Sequence, residues 1–201
     1  MAFLKALVLL GAVSSKVLAI EAPLPGYGVA DLAWDIHVAP GETPINLNGT
    51  IEQITSQMKD INPRWVQDLE ARKPPPVDAA HVQARDKYLR FYCGSKPYDW
   101  WYAETSHIKE GIDYLSKVSG KPRSGPGPGK CARVSCSYLA AIWWCNDKSE
   151  DVELGSFSEI ADAARIIVEK CPMGIFGQYV RGQAFLPADW NVIVRRDTDK
   201  C

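Results

Sequence analysis

Hydrophobic positions along this chain follow two periods, and each period marks a different kind of element. From Leu32 onward, Leu32, Trp34, Ile36 and Val38 alternate with Ala33, Asp35 and His37, which is the pattern of a half-buried strand. Pro40-Gly41 breaks that run, and Pro44 to Leu47 predicts a short second strand. Thr50 with Gln53 then forms a capping box, and Ile51, Ile54, Met58 and Ile61 recur at helical spacing. Pro63 is expected to stop that helix. Residues 20–70 therefore read as a small strand-strand-helix unit, at about 50 residues too small to fold alone. It must pack on the rest of the chain or serve as a pro-segment. Residues 71–92 read as a linker, extended at Pro74-Pro75-Pro76 and then polar and Ala-rich from Val77 to Lys87. Arg72-Lys73 within it is a poor version of a dibasic processing site.

The rest, residues 93–201, reads strand, helix, hairpin, helix and two strands. Thr105 or Ser106 opens a helix with Ile108, Ile112, Leu115 and Val118 on its apolar face, ended by Gly120 and Pro122. The Gly-Pro repeat from Gly125 to Gly129 has no core-forming side chain and is expected to be an exposed loop. Ala132, Val134 and Cys136 alternate with Arg133 and Ser135, giving a strand; Ile142 to Cys145 gives its partner, with a turn near Leu139–Ala141. Ser156 and Glu159 form a second capping box, followed by Ile160, Ala163, Ala164, Ile167, Val168 and Cys171 on one helical face. Val180 to Phe185 and Trp190 to Val194 close the pattern as strands. The fold class predicted is α+β: a disulfide-stapled α/β sandwich, a short antiparallel sheet with two helices, preceded by the strand-strand-helix unit.

The cysteines change this picture most. All six, Cys93, Cys131, Cys136, Cys145, Cys171 and Cys201, lie in the last 109 residues, and the 92 before them contain none. No C-x-x-C and no clustered histidine accompanies them, so three disulfides are expected and no metal or cofactor. Six cysteines allow 15 pairings. Cys136 faces Cys145 only if the hairpin turns at Ala140-Ala141. Disulfides imply an oxidising compartment. Residues 1–19 agree, with Lys5, an apolar stretch from Ala6 to Val13 and a small-residue cleavage site at Val17-Leu18-Ala19, the pattern of a secretory signal. Asn48-Gly49-Thr50 is a glycosylation sequon usable in a secreted chain. The net charge of −1 becomes more negative once Lys5 and Lys16 leave with the signal. No basic patch stands out, so nucleic acid is not an expected partner.

Catalytic chemistry has little to stand on. Of His37, His81 and His107, only His107 has a carboxylate at close spacing, Glu104; the pair would serve a small secreted nuclease or hydrolase, or simply a solvated helix start. Seven tryptophans, with pairs at Trp100-Trp101 and Trp143-Trp144, suggest a carbohydrate-binding module. Strand alternation, however, puts one of Trp143 and Trp144 in the core, and Trp34 and Trp190 read as core as well. The candidate recognition surface is Lys121, Arg123, Lys130 and Arg133 around the Gly-Pro loop, with Trp100 and Trp101 nearby in sequence.

The run GPGPGKCARVSCSY (125–138), followed by AIWWCND (141–147), IADAA (160–164) and WNVIV (190–194), resembles a family of small secreted proteins of filamentous fungi treated as candidate effectors. LNGTIEQ (47–53) extends the resemblance over most of the mature chain. A more distant similarity is to smut killer toxins and necrosis-inducing extracellular effectors, carried by the strand pair of residues 134–145, the helix ending at Cys171, Gly182-Gln183 and the last strand. Such toxins are basic, whereas this chain is slightly acidic. The resemblance implies a monomeric, non-enzymatic virulence or toxin-like protein acting on a host or competitor protein, a membrane component or a cell-wall glycan. The alternatives are the carbohydrate-binding module and the Glu104/His107 hydrolase.

Overall fold

The computed structural model describes residues 20–39, 41–74, 90–94, 97–199 and 201. The signal sequence expected at residues 1–19 and, of the linker expected at residues 71–92, Pro75 to Leu89 with His81 lie outside the described residues; Ala71 instead ends a helix, and Arg90–Tyr92 is a strand paired with Gln183–Phe185. In chain order the elements begin with β1 (Gly28–Val29), β2 (Ala33–Ile36), β3 (Ile45–Asn48), α1 (Ile51–Ile61) and α2 (Pro63–Ala71). Then come β4 (Arg90–Tyr92), β5 (Ala103–Glu104), α3 (Thr105–Lys117), β6 (Arg123–Ser124), β7 (Lys130–Ser137), β8 (Ala140–Asn146) and β9 (Val152–Glu153). The last are α4 (Ser158–Lys170), β10 (Pro172–Met173), β11 (Tyr179–Val180), β12 (Gly182–Leu186) and β13 (Trp190–Arg196). The chain is α+β, as the periodicities predict. No described helix is long and apolar enough to cross a membrane.

Local signals account for most boundaries. The Thr50–Gln53 capping box is formed in full at the start of α1. Pro63 does not simply end that helix. It sits at the first position of α2, where its missing N–H costs nothing, and the Asn62 side chain caps the new helix by accepting from Arg64 N–H at 3.1 Å. The second capping box is half made: Glu159 accepts from the N–H groups of Gly155 and Ser156, but α4 begins two residues later than Ser156. Phe157 intervenes, turned into the core with its ring stacked on Trp34 at 4.0 Å.

Six strands form the main sheet in the order β1-β7-β8-β13-β12-β4, antiparallel throughout except at β1–β7. Its central hairpin, β7–β8, turns at Tyr138-Leu139, a residue earlier than the sequence suggests. Both turn residues have positive φ, 49° and 67°, the backbone that matches strand twist in a two-residue turn. The register places Cys131 opposite Cys145 and Cys136 opposite Ala141, with a bulge between Arg133 and Ser135. That extra residue reverses the alternation of side chains. Ala132 and Val134 face the helices, but Cys136 faces away with Cys131, not with Ala132 and Val134 as simple alternation implies. The disulfides are Cys131–Cys145, Cys136–Cys201 and Cys93–Cys171, so a Cys136–Cys145 bond is ruled out.

Helices α1, α3 and α4 cover one face of the sheet, where Trp144, Val192 and Ala184 meet Ile108, Ile160 and Ile167. The N-terminal unit belongs to this same core: Trp34, Ile36, Ile51, Ile54, Met58 and Leu69 are all buried in it. Glu52 of α1 also serves the bulge directly. Its carboxylate accepts from the Ser135 hydroxyl and, at 2.9 Å, from Cys136 N–H. On the opposite face a second cluster joins Leu24, Trp100, Cys131, Cys136, Trp143, Cys145 and Ile193. Here Tyr27 OH donates to Asp147 at 2.9 Å.

Two outcomes follow. Glu52→Ala leaves a buried hydroxyl and a bulge N–H without their acceptor and is expected to cost about 1–3 kcal/mol, read as a lower urea midpoint at unchanged slope, with Glu52→Gln intermediate. For Tyr27, burial and then the Asp147 carboxylate push the phenol from 10.0 up to about 12. A folded-state pKa above the unfolded one gives a contribution that is complete below about pH 10 and lost as pH rises through about 12. The alkaline fall in Tm over that window is expected to be shallower in Tyr27→Phe.

Candidate recognition site

Residues 171–180 carry no charge and project as a hairpin. Met173 of β10 stands opposite Tyr179 of β11, and Tyr179 stands opposite Glu104 of β5. The turn passes through Gly174 and Gly177, both at positive φ. At φ 85° Gly174 holds a backbone conformation that side-chain-bearing residues rarely adopt, and a Cβ there would also have to displace the Gln178 amide, 2.6 Å away. Gln178 Oε1 accepts from Phe176 N–H at 3.1 Å. The stem is tied down: Thr105 N–H donates to Gln178 O at 2.9 Å and the Thr105 hydroxyl to Gly177 O at 2.7 Å. The Cys93–Cys171 disulfide sits at its base. On this fixed support Ile175 is 88% exposed and Phe176 91%.

The surface continues from the hairpin across one end of the main sheet. Glu104 lies 3.5 Å from His107 Nε2 and Glu110 lies 3.2 Å from Nδ1. The His107 ring stacks on Tyr138, which is in the β7–β8 turn, with centroids 4.4 Å apart. Ala140, just past that turn, is opposite Arg196, and Arg196 bridges to Trp101. Of the eight large apolar side chains exposed among the described residues, six gather at this end: Trp101, Tyr138, Met173, Ile175, Phe176 and Tyr179.

The residues singled out from sequence distribute unevenly. Trp101 is exposed and belongs to this surface, but Trp100 is buried, its indole N–H donating to Pro23 O at 2.8 Å. Trp143 and Trp144 are both buried, one on each face of a sheet covered on both sides, so neither offers a platform for a sugar. Arg133 points away from Ala132 and Val134, as alternation predicts, but that face is covered too, and the side chain is drawn inward to Asp197 at 3.0 Å, a partner 64 residues away in sequence. Arg123 and Lys121 stay exposed and share Glu153, at 2.7 and 3.7 Å; Lys130 is exposed beside them. These cations stand at the far end of the sheet from Trp101. Asn48 is exposed at the end of β3, while Thr50 of its sequon is buried as the α1 cap. Both nitrogens of His107 face carboxylates, and among the described residues no nucleophile hydrogen-bonds to the ring. Among the described residues no group of three or more His, Cys, Asp or Glu is placed to hold a metal.

The hairpin tip was missed in the sequence because Gly174-Ile175-Phe176-Gly177 resembles an ordinary apolar turn. The available signal was an Ile-Phe pair bracketed by glycines within an uncharged run. Comparison with protein-family models, curated proteins and solved structures finds no match.

Replacing Thr105 with Val removes a hydrogen bond that holds the hairpin stem and keeps the shape of the side chain. Its loss is expected to cost about 0.5–1.5 kcal/mol, confined to the hairpin. Amide exchange at Gly177 to Tyr179 should speed up while global unfolding of the sheet changes little.

Proposed function

We propose that this chain is a secreted, non-enzymatic recognition protein, of the effector or toxin-like kind, that binds a protein partner through its exposed aromatic end. The observation that carries this reading is the gathering of Ile175, Phe176, Tyr179, Met173, Tyr138 and Trp101 on one rigid end of the fold. Those side chains expose on the order of 800 Å², the area one partner contributes to a standard protein interface. Their kinds, tryptophan, tyrosine, phenylalanine and methionine, are those enriched at interface centres, with charged residues at the rim. Glu104, Glu110 and Arg196 supply that rim here. The three disulfides and the expected signal sequence support an extracellular setting.

Magnitude argues against a bilayer as the occupant. The Ile175 and Phe176 side chains together carry fewer carbons than one myristoyl chain, which by itself gives only marginal membrane binding with an association constant of about 10⁴ M⁻¹. No basic patch adds a second attraction, and two exposed carboxylates border the hairpin.

The test uses the full secreted protein, fluorescently labelled at its amino terminus, titrated onto plant and yeast cells and onto vesicles of their extracted lipids. Saturable binding to one cell type is expected, abolished by protease treatment of the cells and weakened about tenfold or more in Ile175→Ser/Phe176→Ser, at unchanged circular dichroism and Tm. Equal binding by the double variant, or binding that follows the lipid vesicles, would refute the reading.

A further inference from the structure

The opposite end of the molecule carries a different surface. Leu32, Trp34 and Ile36 point inward, so Asp31, Ala33, Asp35 and His37 point outward and floor a groove of about 750 Å³ beside Arg123 and Glu153. A second groove of about 580 Å³ runs on from it, lined by Asn62, Arg64, Trp65, Asp68 and Arg72. The two share His37 and Ser119 and so form one open trough. Gly125, at the first groove's rim, accepts from Asn146 at the end of the β7–β8 hairpin far from Tyr138. Given the eight residues of β7, the trough and the aromatic end are on the order of 25 Å apart.

We propose that this trough binds a neutral polysaccharide chain. Its charge is balanced along its length: the carboxylates of Asp31, Asp35, Asp68 and Glu153 are matched by as many lysine and arginine groups. A polyanion such as a nucleic acid or a sulfated glycan would meet repulsion at every carboxylate. A polyhydroxylated chain, by contrast, can donate to the carboxylates and accept from the cations along the whole path. Among the described residues the side chains of Asp31, Arg64 and Asp68 meet no hydrogen-bond or ion-pair partner, and they line the trough where such a ligand would lie. The His37 imidazole is oriented through Nδ1, 3.0 Å from Glu42 O. Trp65 is half-buried at one wall, a fixed flat apolar face of the sort that packs against the C–H face of a pyranose ring, while polar neighbours set the ring's orientation. Length and openness favour a segment of several sugars over a small enclosed ligand.

This site is independent of the aromatic end, and its test keeps the two apart. The full secreted protein is titrated with cello-, laminari-, chito-, xylo- and manno-hexasaccharides by calorimetry and tryptophan fluorescence. At least one is expected to bind saturably in the micromolar to millimolar range. Affinity should fall about tenfold in Trp65→Ala and several-fold in Asp68→Ala, an exposed position whose change spares the fold. Ile175→Ser/Phe176→Ser should bind the sugar as the parent does. The proposal is overturned if no neutral hexasaccharide binds, if a heparin hexasaccharide binds more tightly than all of them, or if Asp68→Ala and a folded Trp65→Ala bind unchanged.

Discussion

The bulge between Arg133 and Ser135 decides how the rest of the molecule is assembled. Cys131 and Cys136 are five residues apart, an odd spacing that would put them on opposite faces of a regular strand. With one residue inserted they share a face, and both disulfides of the central hairpin can lie behind the sheet with Trp143. The same insertion turns Ser135 toward the helices, against Gly111, where a Cβ would collide with its hydroxyl. It also leaves Cys136 N–H to be satisfied from outside the sheet, and Glu52 of α1 supplies the acceptor. A single backbone irregularity thus sets the staples, the close approach of α3 and the docking point of α1.

That docking brings the cysteine-free N-terminal region into the main core. Trp34, Ile36, Ile51, Ile54, Met58 and Leu69 are buried in the main core. At about 1.5–3 kcal/mol for each large apolar side chain, their burial amounts to on the order of 10 kcal/mol, comparable to the whole net stability of a domain. Trp34 alone stacks on Phe157, donates to Gly49 O at 2.8 Å and lies under the trough floor. The disulfides staple a sheet whose helical cover comes from both halves of the chain.

Much of this was legible in periodicity. The strand at Trp34, the helix capped by Thr50, the helix ending before Cys171 and the final strand all stand where the pattern puts them, because each rests on local spacing and caps. What was not legible depends on partners distant in sequence. Trp100 reads like Trp101, but Trp100 finds the Pro23 carbonyl and Trp101 does not. Arg133 reads like Arg123, but only Arg133 meets a buried carboxylate. Pro63 reads as a stop, though Asn62 makes it a start. The aromatic end is assembled from four separate segments, and no window of sequence contains it.

Asp197 shows how a buried charge can serve that exposed end. Its side chain is fully enclosed, receiving Arg133 at 3.0 Å, Arg195 at 2.8 Å and the Trp143 indole N–H at 3.0 Å, while its own N–H donates to Leu139 O at 2.7 Å. A carboxylate so placed repays its desolvation only with several donors in good geometry, and here there are three. Leu139 is half of the turn that presents Tyr138, and the Cys136–Cys201 disulfide closes the chain four residues beyond Asp197. The ion cluster and the staple together hold a turn of two non-glycine residues at positive φ, a conformation costly enough to need external support. An aromatic surface held this way loses little entropy when it meets a partner, because the ordering has already been done inside the fold.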